Sequence, residues 1–503
     1  MDERLRGLRD EAIAAGEPVP DPSDGAANLQ WAAQDGPQDA KGVGRYLTRL
    51  WWERPDLQHE FPGVFLDPDA RTEFIRWVHH FGAVESGVPV ELIAPEPPGL
   101  TNAIGVDTPL PLETGTTCVG YFRAVLGVGA AGRRMAGLLQ TGGERIHMRT
   151  YDHTSAPKTV AFDETDEGGR SAPALDLLVL CVNGSETERL SRALGPWATT
   201  GRYRIGLWGW ELDTFPRQQQ AGFDFVDEVW TYSEFAREAI ARVAPEHVSV
   251  HTVALGADIA APANAATAAA SAELSAQIRQ QYGLAPSGPL VGFAFDFASS
   301  VGRKNPGAAI EAYCRAVPRP TTNDHGPSLI LKTINGASFP DEVDRLRALA
   351  DGRPDVVVLD RMFDAQQHSA FVSSLSVYLS LHRSEGYGLT LLEAMAAGVP
   401  VIATAYSGNL DFMSTLNSWL IPYRLVPTVA TGQYPDGLFW AQADIDAAAA
   451  ALREVLTAGS EVAARTRQAQ RDAQALIDPT NTARWIRARL ATIREQRAQK
   501  LST

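Results

Sequence analysis

Between residues 116 and 255, short apolar or β-branched runs alternate with amphipathic stretches, and this alternation predicts a βα series. Strands are expected at Cys118 to Phe122, Arg145 to Arg149, Leu175 to Val182, Tyr203 to Trp208, Glu228 to Thr231 and Val248 to Val253. Helical periodicity falls between several of them, notably at Ala130 to Leu139 and Ser233 to Val243. An Ala-rich, polar segment from Ala260 to Ser287 breaks the pattern. A second series then begins, with strands expected at Leu290 to Phe295, Ser328 to Lys332, Val356 to Leu359, Leu375 to Leu381 and Val399 to Thr404. The chain ends in helical sequence, Asp444 to Leu456 and Ala463 to Gln496. Residues 1–110 differ: Phe74, Trp77, Val78 and Phe81 recur at helical spacing without intervening strands, and Pro-rich sequence from Pro95 to Pro111 closes the region.

Repeated βα units make parallel, doubly wound sheets, because each crossover helix covers one face of the growing sheet. The expected class is therefore α/β, with two Rossmann-like domains in series and a mainly helical N-terminal extension. The expected division is an accessory module at 1–110, a first Rossmann-like domain at 111–260, a linker at 261–288, a second Rossmann-like domain at 289–480 and a C-terminal helix at 481–503. Open α/β sheets bind ligands at the carboxyl ends of their strands, so two facing sheets would enclose a cleft there.

The 503 residues suffice for two or three such cores, and 45% hydrophobic with 21% charged residues is ordinary for a folded α/β chain. A net charge of -15 repels phosphate backbones, which excludes nucleic acid as the expected partner. Cys118, Cys181 and Cys314 are far apart in apolar or helical surroundings and read as reduced core residues. The opening residues lack the apolar core of a signal peptide, and no run reaches the length of a membrane span, so the expected location is cytoplasmic. His79, His80, His147 and His153 have no metal-ligand spacing, and no Asp-x-Asp motif stands in a suitable loop, so neither a metal nor a cofactor is expected.

The most informative stretch is His382-Arg-Ser-Glu385-Gly-Tyr-Gly-Leu-Thr-Leu-Leu-Glu393, continuing to Pro400. It reads as a strand end, a glycine-flexed loop and a helix starting near Leu389. Amides from Tyr387, Gly388, Leu389 and Thr390 at the helix start suit a pyrophosphate, with the positive end of the helix dipole behind them. Gly386 and Gly388 let the main chain approach without a Cβ in the way. Carboxylates on either side, Glu385 and Glu393, can accept hydrogen bonds from hydroxyls. After the first strand of the second series comes Arg303-Lys304-Asn-Pro306, a cationic loop that would stabilise the charge on a departing diphosphate. Either feature alone occurs often on solvated surfaces; their combination changes that balance.

The segment around Glu385 resembles the Glu-x7-Glu signature of retaining GT-B glycosyltransferases, in particular glycosyltransferase family 4. The usual form there is Ser-Glu-Gly-Phe-Gly-Leu, followed by Glu-Ala-Met-Ala-x-Gly-x-Pro-Val. The resemblance spans roughly residues 116 to 500. It implies a GT-B fold and transfer of a sugar from a nucleotide diphosphate sugar (UDP- or GDP-sugar) with retention. By position, Glu385 would contact the donor sugar and Glu393 the ribose. The family separates its Arg and Lys by several residues, whereas Arg303 and Lys304 are adjacent, which makes Lys304 the safer counterpart.

In the first domain, Gly127-Val-Gly129-Ala-Ala-Gly132 resembles the family's loop beside the donor phosphates. Asn183 stands where many relatives carry a histidine beside the sugar, and an amide can hydrogen-bond a hydroxyl there but cannot act as a base. Trp208, Trp210 and Glu211 form an aromatic and acidic loop suited to a carbohydrate or other hydroxyl acceptor, although both indoles are equally compatible with plain packing. Leu255 replaces an Asn of the family's turn at the end of the domain. The accessory module, with Trp51, Trp52 and Trp77, resembles extensions beside bacterial surface-polysaccharide glycosyltransferases. Two alternatives stay open: a nucleotide-sugar 2-epimerase of GT-B architecture, and a catalytically silent glycan-binding protein.

Overall fold

The computed structural model describes residues 3–35, 43–54, 57–58, 61, 63–78, 88–89, 92, 112–152, 154, 158, 160, 174–194, 200–256, 265–320, 326–428, 434–435, 437–457 and 459–501. Phe81, His79, His80, His153 and the Pro-rich stretch 95–111 lie outside them. Two six-stranded parallel sheets dominate.

The first sheet holds β1 (Glu113–Gly120), β2 (Ile146–Thr150), β3 (Leu175–Cys181), β4 (Tyr203–Leu207), β5 (Glu228–Thr231) and β6 (Ser249–Thr252), in the order β2-β1-β3-β4-β5-β6. Strand β3 is buried on both faces because helices cover each side, which explains why its sequence is a continuous apolar run rather than an alternation. Cys118 and Cys181 sit in this core as free thiols. The second sheet holds β7 (Leu290–Asp296), β8 (Ser328–Ile334), β9 (Val356–Asp360), β10 (Val377–Ser380), β11 (Val401–Thr404) and β12 (Trp419–Ile421), in the order β12-β11-β10-β7-β8-β9. All the strand pairs of both sheets are parallel.

Local signals set several helix starts. Ser233 caps the Glu234–Ala241 helix by accepting from the Ala236 amide, and Asp444 caps Ile445–Leu456 in the same way. Asp364 and Gln367 close a capping box at the head of Ala365–Ser373. Residues 261–288, expected as a linker, contain the 18-residue helix Ala265–Tyr282, whose Leu274 and Ile278 are buried in the second core. Alanine favours helix without marking an apolar face, so composition hid the element. The terminal helical sequence is two helices, Ser460–Ile477 and Pro479–Leu501, parted at Asp478 because Pro479 supplies no amide to continue the ladder.

The Pro479–Leu501 helix returns to the first domain, where Ile486, Leu490 and Ile493 complete a core with Cys118, Met135 and Leu177. Arg489 reaches both carboxylate oxygens of the buried Glu228, at 3.0 and 2.6 Å, and Arg494 bonds Asp176 and Glu144. A second crossing is made by an antiparallel hairpin of β13 (Tyr423–Pro427) and β14 (Phe439–Ala443). Although it follows the second sheet in sequence, Trp440 and the nearby Tyr434 pack into the first domain's core with Trp210, Phe215 and Tyr121. The N-terminal region is helical, with Glu3–Ala14, Gly25–Ala33, Arg45–Glu53 and Pro68–Trp77 around a core of their own. There Trp52 is 62% exposed and stacks on Phe65 at 5.9 Å. No helix among the described residues is long and apolar enough to cross a membrane.

Candidate active site

The carboxyl ends of the two sheets meet, and four polar links join them. Ser233 Oγ, just beyond β5, donates to the Gly386 carbonyl at 2.5 Å. The Glu234 amide donates to Asp411 Oδ2 at 2.7 Å. Ser384 Oγ donates to the Glu211 carbonyl, and Tyr434 Oη donates to Glu211 Oε2 at 3.2 Å. Phe235 packs edge-on against Tyr406, with ring centroids 5.4 Å apart. A Cβ on Gly408 would come within 2.2 Å of the Gly386 carbonyl, so the loop after β11 closes on the loop after β10 only because residue 408 is glycine.

At this junction Glu385 is 9% exposed and carries an ion cluster. Lys304 Nζ donates to its Oε1 at 2.6 Å, and Arg303 Nη1 donates to its Oε2 at 3.1 Å and to the Ser384 carbonyl at 2.9 Å. Burial alone would raise the pKa of Glu385; the charges of Lys304 and Arg303 overcome that and hold it at about 2. Burial lowers the pKa of Lys304 and the neighbouring Arg303 charge acts in the same direction, against the pull of Glu385. The site is thus one carboxylate shared by two cations, with both of its oxygens engaged. Among the described residues, the buried Arg303 Nε has no hydrogen-bond partner, nor has the Tyr232 hydroxyl across the junction.

Backbone geometry builds this cluster. Ser300 and Asn305 both adopt positive φ, 63° and 54°, so the chain folds tightly about Val301–Lys304 before Pro306 opens the next helix. The Asn305 side chain ties that turn to the Leu381 carbonyl at 2.9 Å. Trp440 lies against Gly302 and under the Arg383 guanidinium, 5.3 Å from its ring, so the hairpin braces the cationic loop. His382, fully buried, bridges Ser380 Oγ at 3.1 Å and Asn409 Oδ1 at 3.2 Å. The Glu385 amide donates to Ser407 Oγ at 2.8 Å. None of these supports was legible in sequence, since they depend on which loops the topology brings together.

The Leu389–Ala396 helix begins at Gly388, whose φ of 95° an L side chain would adopt only with strain. The Leu391 and Leu392 amides donate to the Gly388 carbonyl, while those of Leu389 and Thr390 find no backbone acceptor among the described residues. Tyr387 is buried edge-on against Phe412 at 5.3 Å. Glu393, inside the helix, meets His368 at 2.9 Å.

The first-domain candidates divide. Gly127 has open space where a Cβ would stand, whereas a Cβ on Gly129 would fall 2.5 Å from the Tyr121 carbonyl, so Gly129 serves the close approach of the helix to the turn after β1. Asn183 uses its Oδ1 to accept from the Gly209 amide at 2.9 Å, which leaves its amide nitrogen for another partner. Trp208 is fully buried, with its indole N–H on Thr187 Oγ1. Trp210 is 3% exposed, its N–H on the Thr214 carbonyl and its ring against Phe215 and Tyr434. The acceptor contact expected of Trp210 therefore has no open indole face to work through, because the hairpin covers it. Glu211 remains at the junction. Among the described residues, no group of three or more His, Cys, Asp or Glu side chains could hold a metal ion.

Residues 238–486 match the model of a family described as family 4 glycosyltransferase in conflict systems. No curated protein matches the chain. Among solved structures, the chain is similar to Anabaena HepE in complex with UDP and glucose, at a TM-score of 0.52 and 14% identity over 76% of this chain and 100% of that one. Its complexes with UDP-glucose (TM-score 0.52, 13% identity, 76% and 100% covered) and with UDP (0.51, 14%, 75% and 100%) are similar too. At such identity the likeness concerns the fold: two facing parallel sheets of GT-B type. From residue 238 to residue 486, then, this chain carries a family 4 glycosyltransferase domain, set within a GT-B fold.

Proposed function

We propose that the chain transfers a sugar from a nucleoside diphosphate sugar, UDP- or GDP-linked, to a hydroxyl acceptor with retention of anomeric configuration. The observation that carries this reading is the buried Glu385–Lys304–Arg303 cluster, set between facing strand ends and beside the open amides of Leu389 and Thr390. The donor's diphosphate would take up these amides and the two cations. Glu385, each of whose oxygens keeps a lone pair beyond the cation it holds, and the Asn183 amide would hold the sugar, Glu393 the ribose, and Gly127 would leave room for the phosphates. The binding of UDP and UDP-glucose by HepE is consistent with such a donor.

As the sugar–phosphate bond breaks, negative charge grows on the leaving diphosphate. Fixed cations in a buried site stabilise that charge more than they stabilise the bound donor. The acceptor hydroxyl would approach on the face the diphosphate leaves, and a leaving-group oxygen would take its proton. Glu211 would contact the acceptor, and no metal would be needed. The N-terminal helices, with the exposed Trp52, would contact the acceptor or a partner, in the assembly of bacterial surface glycans or glycoconjugates.

The test is to incubate the protein with a panel of UDP- and GDP-sugars, with and without EDTA, and follow nucleoside diphosphate release. One donor should be consumed regardless of chelator, and proton NMR should show the donor's anomeric configuration in the product. A chain that neither binds nor consumes any member of the panel would defeat the proposal.

A further inference from the structure

We propose that His368 is a positioning residue for the nucleoside end of the donor site, acting through Glu393; the inference rests on the donor reading above. His368 stands in the Ala365–Ser373 helix and Glu393 in the Leu389–Ala396 helix, so the pair spans two elements. The His368 ring Nε2 lies 2.9 Å from Glu393 Oε2, with side-chain exposures of 29% and 15%. Facing a carboxylate oxygen, which only accepts, that nitrogen is the donor. Among the described residues, Glu393 Oε1 has no hydrogen-bond partner. One oxygen is therefore anchored to the protein and the other is left for a ligand.

A glutamate on a helix surface ordinarily samples several rotamers, and binding must then meet the entropy of fixing one. Here the fixing is done in advance. The helix that carries His368 is itself held: its first turn is locked by the Asp364–Gln367 capping box, and Phe371 on it is fully buried in the second core. Because only one oxygen is open, Glu393 reads a ribose hydroxyl through a single acceptor in a set orientation. The ligand class this fits is a ribonucleoside diphosphate, and the geometry assigns His368 to affinity for its ribose rather than to chemistry on the sugar.

The experiment is calorimetric titration of the full chain and its His368→Ala and His368→Gln variants. The probes are UDP and GDP, followed by the 2′,3′-dideoxy form of whichever binds more tightly. Glutamine can place an amide N–H where the imidazole Nε2 sits. His368→Ala should weaken the ribonucleotide by about tenfold, His368→Gln should recover to within about threefold of the wild type, and the dideoxy nucleotide should be indifferent to both changes. Equal weakening of the ribo and dideoxy nucleotides by His368→Ala would reduce the pair to a helix–helix tether and overturn the inference. So would unaltered ribonucleotide affinity. A wild-type chain that binds neither UDP nor GDP would take the donor reading down first, an outcome distinct from a chain that binds nucleotide but ignores His368.

Discussion

Glu385 holds its negative charge against burial because two cations lie within 3.1 Å. Its pKa is lowered from an ordinary 4.5 to about 2, so it binds fewer protons in the folded chain than in the unfolded one. The resulting stabilisation is complete above pH 4.5 and is lost as pH falls towards 2. Thermal unfolding followed across that window should show the wild type losing Tm more steeply than Glu385→Gln, which has no carboxyl to protonate. At neutral pH the same variant leaves Lys304 and Arg303 with only the weaker pull of Glu211 as counter-charge, at a cost of about 3–5 kcal/mol in urea unfolding. Lys304→Ala should retain the fold and lower kcat by roughly 10²–10³, the usual effect of deleting one group aimed at developing charge. An equal fall in donor release and in transfer to acceptor would place Lys304 at the leaving group. The two motif glutamates were legible because their loop, helix start and glycines are contiguous in sequence. Tyr434, 223 positions from the Glu211 carboxylate it bonds, and His368, 25 positions from Glu393, were not, since pattern reading has no term for long-range pairs.

Among the elements, strands buried on both faces were the most readable, as β3 and β7 show, because nothing but continuous apolar sequence fits there. The described strands after β11 were missed. Strand β12 has three residues and ends before Pro422, and β13 has only one face to bury, leaving Tyr423 and Leu425 exposed. The hairpin matters all the same. Trp440 is 3% exposed, so Trp440→Ala should destabilise the chain by about 3–5 kcal/mol in urea unfolding. It should also lower activity in the surviving folded fraction, because Arg383 and Gly302 lose the ring that braces the cationic loop. Unchanged turnover per folded molecule would show that the brace is dispensable. On the terminal helix, Arg489→Ala strands the fully buried Glu228 carboxylate and should cost about 3–5 kcal/mol. Adding Glu228→Gln should recover part of that loss, measured as a double-mutant cycle.

For the whole molecule, the two-sheet plan was readable because the βα rhythm runs twice with a break between. That the strand ends face one another followed from the rule for ligand sites in open sheets, not from any residue. The returning Pro479–Leu501 helix was seen as a helix, but its destination was invisible: Ile486, Leu490 and Ile493 look like an ordinary amphipathic stripe until the first domain supplies their partners. Each buries roughly 1.5–3 kcal/mol of apolar contact. A chain ending at Asp478 should therefore show a separate, lower calorimetric transition for the first domain, where the full chain melts with the two domains coupled.

The hairpin of β13 and β14 is encoded after the second sheet yet finishes the interior of the first. A hybrid made by grafting the second half of a relative onto this first domain would set a foreign hairpin into a cavity shaped for Trp440 and Tyr434. The portable unit is thus not either half. It is the first domain together with residues 423–443 and the Pro479–Leu501 helix, and recombination that respects these boundaries should yield working chimeras where a cut at the obvious midpoint does not.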